Sequence, residues 1–417
     1  MTQTMTHRER ILNHIRPESE IVFSIEEYAQ RLTRVRAGMA AAGIDTLYLT
    51  SPEAICYLSG YRAEWYQAQG PKSWLPVSGL AVHADADDYI HFEVQNEQVI
   101  AGFTSVSRDL RIFGGDAQPG NDLLEFIVDE LDGEGWLSGT VGMEMFSYRP
   151  KRGVSEMLQA AMEAKGATVV DGTEIVGKVR KIKSPQELAY TRTAARIGDV
   201  GMAAALDTIR AGVTELDVYG EIVRAMARAG GENSSITMPV SSGAKSACMH
   251  ALASRRKIMP GDVVNVDLCG VFNRYHANMA RTICVGEPHP EVSRYLDAVT
   301  GVKAMLADVI RPNLPVRELL DTIEAYYRDA GIWQDQCWVG GYDLGISFPP
   351  DWVGPWFYDV HTDSGDEVFE PGMATNYEAN FYLPDLAGMS MFIDMMSFTE
   401  DTAEFLQETP ARLPVVE

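Results

Sequence analysis

The chain has 417 residues, of which 46% are hydrophobic and 23% charged, so it is long enough for two domains with buried cores. Lys and Arg number 35 and Asp and Glu 59, and the net charge of −24 argues against nucleic acid or an anionic membrane as a partner. None of the five cysteines forms a C-x-x-C pair, and the N-terminal MTQTMTHRERILNH lacks an apolar signal core. We therefore expect reduced thiols, no spanning helix and a cytoplasmic location.

The first part of the chain alternates helix and strand patterns. Residues 1–20 are polar and predict an arm or a short helix. Apolar residues at helical spacing then predict a helix that ends at Gly43. The predicted elements that follow are the strand DTLYLT, a hairpin in LAVHADADDYIHFEV, the strand TVGMEM, a helix over 153–165 and the strand ATVVDG. Together they predict an α/β domain over residues 1–180.

Two helices open the second part of the chain. The segment Ser184–Glu187 has the sequence of a capping box with Pro at the first helical position, which predicts a helix of roughly 25 residues that Gly212 ends. Thr214 starts a second helix in the same way, and Gly230 and the glycine after it stop that helix.

Strand patterns dominate from about residue 235 onward. The candidates are SITMPVSSG, DVVNVDLCGVF, ARTICVG, MATNYEANFYL and MFIDMMSFTE, with one further helix near 291–309. Two helices followed by a mostly antiparallel sheet predict an α+β domain over residues 181–417.

Four titratable residues in this second domain are candidates for chemistry. His250 lies in the polar loop before a strand, where an imidazole can act as a general base near neutral pH. Asp267, Glu378 and Asp394 each interrupt an apolar strand pattern, and a buried carboxylate needs a partner and is often functional. The structural alternative is a histidine whose ring nitrogens are hydrogen-bonded within the protein, together with three strand carboxylates that face outward.

Taken in order, several segments resemble the pita-bread superfamily, which includes creatinase, Xaa-Pro and methionine aminopeptidases, ectoine hydrolase and a dimethylsulfoniopropionate lyase. The segments are KIKSPQELAYTRTAARI, GDVVNVD, YHANMARTICVG, EPGMATNYEANFYL and FIDMMSFTED. The resemblance covers nearly the whole chain. It implies a creatinase-type N-terminal α/β domain followed by a C-terminal pita-bread catalytic domain.

The departures from the superfamily concern its metal site. Metal-dependent members use two Asp eleven residues apart, one His and two Glu, a donor set that suits a pair of divalent ions. The five matching positions here are Asp267, Asn278, Tyr342, Glu378 and Ile393. With two of the five ligands left, the resemblance implies no catalytic metal and no other cofactor. A single metal held by Asp267, Glu378 and Asp394 remains the competing interpretation.

The segment GYDLGISFPPDW is similar to the metal-free ectoine hydrolase subgroup, which has a Tyr in the same turn. Creatinase, which is also metal-free, is a poorer match. In ectoine hydrolase a Glu at the Asp267 position is implicated in attack on the cyclic amidine. The residue here is one methylene shorter, which implies a different substrate within the same chemistry, hydrolysis of a C–N bond in a small nitrogen-rich compound.

The resemblance also suggests roles for individual residues. We expect His250 to act as general base or proton shuttle, Asp267 to attack the carbon or to orient a water, and Glu378 to bind the substrate nitrogen or donate a proton. The expected substrate-binding residues are Tyr342, His276, Asp351, Trp352, Asp394, Trp65 and Tyr66.

Trp65 and Tyr66 are expected at the site because, in the superfamily, their loop comes from the partner subunit of a homodimer. Their structural alternative is interdomain packing. Three other functions remain open: a metal-dependent Xaa-Pro-type aminopeptidase, a lyase acting on a small betaine or sulfonium compound, and a binding protein that is catalytically inactive.

Overall fold

The structure is a computed structural model that describes residues 20–64, 75–114, 120–383, 388–412 and 414–417. The chain divides into two compact units, Met1–Arg180 and Lys181–Glu417. Within the described ranges, no helix combines the length and the apolar character that crossing a bilayer requires.

The first unit contains a six-stranded sheet and helices. The described helices are α1 (Ile25–Ala42), α2 (Pro52–Ser59), α3 (Gln98–Thr104), α4 (Gly120–Gly133), α5 (Arg152–Ala164) and α6 (Thr173–Lys181). The strands are β1 (Thr46–Leu49), β2 (Gly79–His83), β3 (Ile90–Val94), β4 (Asp109–Phe113), β5 (Thr140–Met143) and β6 (Thr168–Asp171).

The sheet of the first unit has the order β4-β3-β2-β1-β5-β6. The pairs β1–β2 and β2–β3 are antiparallel, and the remaining pairs are parallel. Helix α1 is capped at its N-terminus by Ser24, whose hydroxyl accepts the backbone N–H of Glu27, and at its C-terminus by Gly43 in the left-handed conformation (φ 67°). The helix end predicted at Gly43 and the predicted β2–β3 hairpin are therefore confirmed.

The second unit pairs a large sheet with four described α-helices. These are α7 (Pro185–Thr208), α8 (Glu215–Arg228), α9 (Pro290–Val309) and α10 (Val316–Asp329). The strands are β7 (Val240–Ser242), β8 (Val263–Phe272), β9 (Tyr275–Val285), β10 (Leu314–Pro315), β11 (Gln336–Tyr342), β12 (Phe357–Asp359), β13 (Val368–Phe369), β14 (Ala374–Tyr382), β15 (Met389–Phe398), β16 (Ala403–Phe405) and β17 (Val415–Val416).

Strands of the large sheet run in the order β12-β11-β14-β15-β9-β8-β7, with β16 paired to β15 and β17 to β9; β10 and β13 form a separate pair. Helices α7 to α10 pack on one face, which we call the helix-covered face. Its apolar residues include Leu268 and Met279 near α7, and Phe392 near α9. Helix α7 packs closely against β8 at Gly270, where an added Cβ would lie 1.9 Å from the carbonyl oxygen of Ala194.

The two predicted capping boxes are confirmed, since the hydroxyls of Ser184 and Thr214 accept the backbone N–H groups three residues on. The predicted end of the first long helix at Gly212 is wrong. Helix α7 ends at Thr208 because Ile209 adopts an extended conformation and is buried, and Gly212 (φ 93°) makes the following turn. The predicted strand SITMPVSSG is reduced to β7, and helix α10 was not predicted.

Candidate active site

One row of side chains across the large sheet contains both strand carboxyls of interest. Asp267 on β8 lies opposite Ala280 on β9, Ala280 lies opposite Ile393 on β15, and Ile393 lies opposite Glu378 on β14. Directly paired residues point to the same face of a sheet. The row therefore lies on the face opposite the helices, which we call the site face.

Strand alternation explains how these acidic residues are held in an apolar sequence. The neighbours of Asp267 and Glu378 along their strands, among them Leu268, Tyr377 and Ala379, point to the helix-covered face and are fully buried there. Packing of these neighbours fixes the register, because a slip of one residue would turn every side chain to the other face. Asp267 and Glu378 are each only 7% exposed.

Both carboxyls accept hydrogen bonds from asparagine amides. Asn278 Nδ2 donates to Asp267 Oδ1 at 2.7 Å, and Asn380 Nδ2 donates to Glu378 Oε1 at 2.6 Å. Burial raises the pKa of Asp267 to about 7, although the bond from Asn278 opposes the rise. Burial, together with the charge of Asp267, raises the pKa of Glu378 to about 8. Near neutral pH the pair therefore holds protons that isolated carboxyls would have lost.

The orientation of the Asn278 amide is set by a chain of hydrogen bonds. The backbone N–H of Tyr342 donates to Asn376 Oδ1 at 2.7 Å, so the Asn376 NH₂ group faces away from that strand. Asn376 Nδ2 donates to Asn278 Oδ1 at 3.1 Å, and the Tyr342 hydroxyl donates to the same oxygen at 3.2 Å. The NH₂ group of Asn278 must therefore point at Asp267.

These residues do not fit a pair of divalent ions. At the position of the second Asp ligand, Asn278 presents an N–H donor to Asp267, where a metal would need an oxygen acceptor. Tyr342 and Ile393 replace a His and a Glu of the superfamily's ligand set. Across the described ranges, no group of three or more His, Cys, Asp or Glu side chains is arranged to hold a metal ion.

Tyr342 and Trp352 lie beside the row, and their predicted role in substrate binding stays a prediction. Trp352 is buried, and its indole N–H donates to the Tyr342 hydroxyl at 3.2 Å, so the two rings extend the network that begins at Asp267. Asp351 is partly buried and accepts the backbone N–H of Val353 at 2.9 Å. Its predicted contact with substrate stays a prediction.

His250 lies in an exposed turn next to the site. Its neighbour Met249 packs against an apolar cluster that includes Ala280 and Ile393, the two residues of the row between the carboxyls. Among the described residues, no hydrogen bond joins His250 to Asp267 or Glu378, so the imidazole would act on a substrate from the loop side. Trp65 and Tyr66 lie outside the described residues.

Two predicted substrate-binding residues have structural partners instead. His276 is fully buried, and its ring nitrogens lie 2.8 Å from the carbonyl oxygen of Arg274 and 2.9 Å from the hydroxyl of Ser235. Burial, aided by the charge of Arg274, lowers the pKa of His276 to about 3. With both nitrogens engaged, the ring has no hydrogen bond left for a substrate.

Asp394 points to the helix-covered face. It is fully buried there, 2.9 Å from Nη2 of Arg281 and 2.5 Å from Nζ of Lys303 on α9. The expectation that it binds substrate or a metal beside Glu378 is wrong, because strand alternation separates it from Ile393 and from the row.

Sequence reasoning missed the asparagines Asn376 and Asn380. Both flank Glu378 at two-residue spacing in NYEAN, so period-2 alternation alone places all three on one face. Polar residues at alternate positions of an otherwise apolar strand were the signal available.

Comparison with known proteins places both units in the families that the sequence resemblance indicates. Residues 189–400, half of the chain, match metallopeptidase family M24, and residues 31–182 match the creatinase/prolidase N-terminal domain. An ectoine hydrolase of Halomonas elongata is 28% identical over 407 residues, which are 94% of this chain and 98% of that protein. An uncharacterized hydrolase/peptidase of Sinorhizobium fredii is 31% identical over 377 residues, or 87% of this chain and 91% of that protein.

Among solved structures, the Xaa-Pro dipeptidase from Bacillus anthracis matches with a TM-score of 0.74, covering 93% of this chain and 100% of that one. At 23% identity this likeness shows the fold. The resemblance and the fold class predicted from the sequence are confirmed. The chain belongs to metallopeptidase family M24, as a hydrolase with a creatinase-type N-terminal domain before its pita-bread domain.

Proposed function

We propose that this chain hydrolyses a C–N bond in a small, nitrogen-rich compound without a metal ion. The observation that carries the proposal is the hydrogen bond from Asn278 to Asp267, whose direction is fixed by Asn376 and Tyr342. A donor in that position stabilises a carboxylate and repels a cation, so the chemistry falls to protons and a nucleophile.

The raised pKa values of the two carboxyls suit complementary roles. Asp267, the group that ionises first, either attacks the electrophilic carbon or orients a water that attacks it. Glu378 still holds its proton near neutral pH and gives it to the leaving nitrogen as the C–N bond breaks. Water supplies the new C–O bond, and its proton returns to the pair through His250.

The two acidic groups of the row favour a substrate with a basic nitrogen. A cationic amidine or guanidino group can donate hydrogen bonds to the Asp267 carboxylate and to the carbonyl oxygen of the Glu378 carboxyl, while Trp352 and Tyr342 provide aromatic surface and a hydroxyl. The ectoine hydrolase among the relatives supports this class by its name. Cyclic amidines, guanidino compounds and related amides are therefore the first candidates.

A metal-dependent Xaa-Pro peptidase is the second candidate, and membership of a metallopeptidase family favours it. The two proposals predict different outcomes in one assay. Chelator-treated protein is incubated with cyclic amidines, guanidino compounds and Xaa-Pro dipeptides, with and without Mn²⁺, and products are identified by mass spectrometry. We expect a water-added product from an amidine or guanidino compound in the absence of metal.

Cleavage confined to dipeptides with added Mn²⁺ would support the peptidase instead. An unsaturated product without added water would indicate a lyase, and binding without any product would indicate an inactive binding protein. His250→Ala and Asp267→Asn are the matched variants, and full turnover by either would remove the role proposed for that residue.

We also propose that the protein works as a homodimer in which each subunit's first unit contributes to its partner's site. The support is the resemblance to the superfamily, and the relevant loop includes Trp65 and Tyr66. Light scattering should give twice the 46.0 kDa of the chain. A monomer that is fully active would contradict the proposal.

A further inference from the structure

One buried carboxylate outside the row holds both ends of the segment that carries His250. We call residues 243–253 the His250 loop. Glu215, the first residue of α8, has a side chain with no exposure to solvent. The residues immediately before and after the loop, Ser242 and Ser254, both donate to this one carboxylate.

Each oxygen of Glu215 serves one end of the loop. Oε1 accepts the backbone N–H of Ser242 at 2.9 Å and its hydroxyl at 2.7 Å. Oε2 accepts the backbone N–H of Ser254 at 2.9 Å and its hydroxyl at 2.7 Å, and it is ion-paired with Lys245. Burial opposes ionisation, but the hydrogen bonds from Lys245, Ser254 and Ser242 outweigh it and lower the pKa of Glu215.

A second layer of contacts braces the same base. Arg256 donates to the Ser242 hydroxyl at 2.6 Å and is held by Asp262 at 2.5 and 3.0 Å. Lys245 also donates to the carbonyl oxygen of Leu252 at 2.7 Å, which ties the two arms of the loop together. The base of the loop is therefore extensively hydrogen-bonded, and the cations Lys245 and Arg256 are matched by the carboxylates Glu215 and Asp262.

The tip of the loop has a different character. Cys248, His250 and Leu252 are exposed, whereas Met249 and Ala251 are partly buried, and Met249 packs against the apolar cluster that contains Ala280 and Ile393. The clamped base and the Met249 contact both constrain the position of the imidazole relative to Asp267. The loop is held further by Asn265, whose Nδ2 donates to the carbonyl oxygen of Ser246 at 3.0 Å.

We propose that Glu215 is a positioning residue that acts on the reaction through His250. This inference rests on the proposed function, because it takes His250 to be the proton carrier. Glu215 lies on α8 and touches no atom of the row itself. Its effect would be to fix the positions of the two ends of the His250 loop, so that the imidazole occupies a single position relative to the row.

A Glu215→Gln substitution tests the clamp with almost no change in volume. A carboxylate can accept from both loop ends, but an amide has one acceptor oxygen and one NH₂ group. If the amide oxygen stays with Ser254 and Lys245, the NH₂ group faces the N–H of Ser242, and that end loses its partner. Asp217→Asn is the matched control, since Asp217 caps the same helix at Thr214 and has no contact with the loop ends.

Hydrogen exchange read by mass spectrometry is the first measurement, and it needs no substrate. We expect peptides covering residues 242–254 to exchange at least about tenfold faster in Glu215→Gln, as the loss of a hydrogen bond to a charged group implies. Exchange of peptides from the middle of α8 should be unchanged in this variant. In Asp217→Asn, exchange of residues 242–254 should be unchanged, and exchange in α8 should be faster. Unchanged exchange of the loop in Glu215→Gln would overturn the clamp.

A double-mutant cycle on turnover is the second measurement. On a compound hydrolysed in the substrate screen, Glu215→Gln should lower kcat at least about tenfold with KM changed less than about threefold. In a His250→Ala background the same substitution should change kcat less than about twofold, because the residue it positions is gone. Equal losses in both backgrounds would mean a structural role only and would overturn the proposal.

Two controls keep the outcomes separate. Ser254→Ala removes one donor from the clamp and should give a smaller increase in loop exchange, which covers the case in which Glu215→Gln does not fold. Full turnover by His250→Ala would refute the function proposed for His250 and, with it, the link to Glu215. The exchange result would still show whether Glu215 holds the loop.

Discussion

Asp267 and Glu378 lie on the first and last of four adjacent strands, and between them the row has only Ala280 and Ile393. Two buried carboxyls without a cation between them compete for protons, so the chemistry of the site is decided by the atoms that contact each one. Asn278 and Asn380 supply one N–H each, which is too little to restore the ordinary pKa values.

This pair predicts an unusual pH dependence of stability. Both pKa values are raised on folding, from 3.8 to about 7 and from 4.5 to about 8, so the native state binds more protons than the unfolded state between these limits. The pair's contribution to the free energy of unfolding is therefore fully present below about pH 4 and is lost as the pH rises through 7 to 8.

Urea unfolding at pH 6.0 and 8.5 measures this effect. Wild type should lose stability over that interval, and an Asp267→Asn/Glu378→Gln double variant should lose less. An equal loss in both proteins would show that the carboxyls titrate normally in the folded state.

Asn278 offers a direct test of the missing ligand. Asn278→Asp places a second carboxylate beside Asp267, so like charges repel in the buried row, and the variant should melt below wild type at pH 8. Added Mn²⁺ should then raise the melting temperature of the variant and leave wild type unchanged, because binding to the native state alone stabilises it. Equal stabilisation of wild type would mean that the native residues already bind the ion.

Strand alternation decides which acidic side chains lie in the row and which are buried against the helices. Ile393 and Asp394 are adjacent in sequence, yet one lies in the row and the other is buried against α9 with Arg281 and Lys303. A carboxylate between two cations on a helix-covered face joins the sheet to the helix. Removing its charge leaves the buried Arg281 and the partly buried Lys303 without this counter-charge.

Asp394→Asn should therefore destabilise the second unit by about 3 kcal/mol or more. Glu404→Gln is the control, because its ion pair with Arg192 is half exposed and contributes about 0 to 1 kcal/mol. Thermal unfolding separates the two. A change of less than about 1 kcal/mol in Asp394→Asn would show that the ion pairs add nothing net.

At the scale of helices and strands, signals from neighbouring residues account for much of what the sequence predicts. The capping boxes at Ser184 and Thr214 and the left-handed end at Gly43 depend on neighbouring residues, so they can be read from a short window. The end of α7 depends on burial of Ile209 in the core, and the role of Asp394 depends on a lysine 91 positions away. Neither relation is visible in a local pattern.

At the scale of the whole molecule, the resemblance gave the fold class and the positions of Asp267, Asn278, Tyr342 and Glu378. It could not give the direction of the Asn278 amide, because that depends on hydrogen bonds to β11 and β14, far away in sequence. The Glu215 clamp was missed for the same reason, since its partners lie 27 to 39 residues away along the chain.

The account depends on a family M24 site that works with protons alone, and metal stoichiometry measured together with turnover tests it most directly. The protein is treated with a chelator, its Mn, Zn, Co and Fe contents are determined by plasma mass spectrometry, and hydrolysis of the compound found in the screen is followed on the same sample. We predict less than about 0.1 metal ion per chain with undiminished turnover, since two acidic ligands do not hold a divalent pair against a chelator. Turnover that disappears with the metal and returns with Mn²⁺ at about two ions per chain would contradict the account.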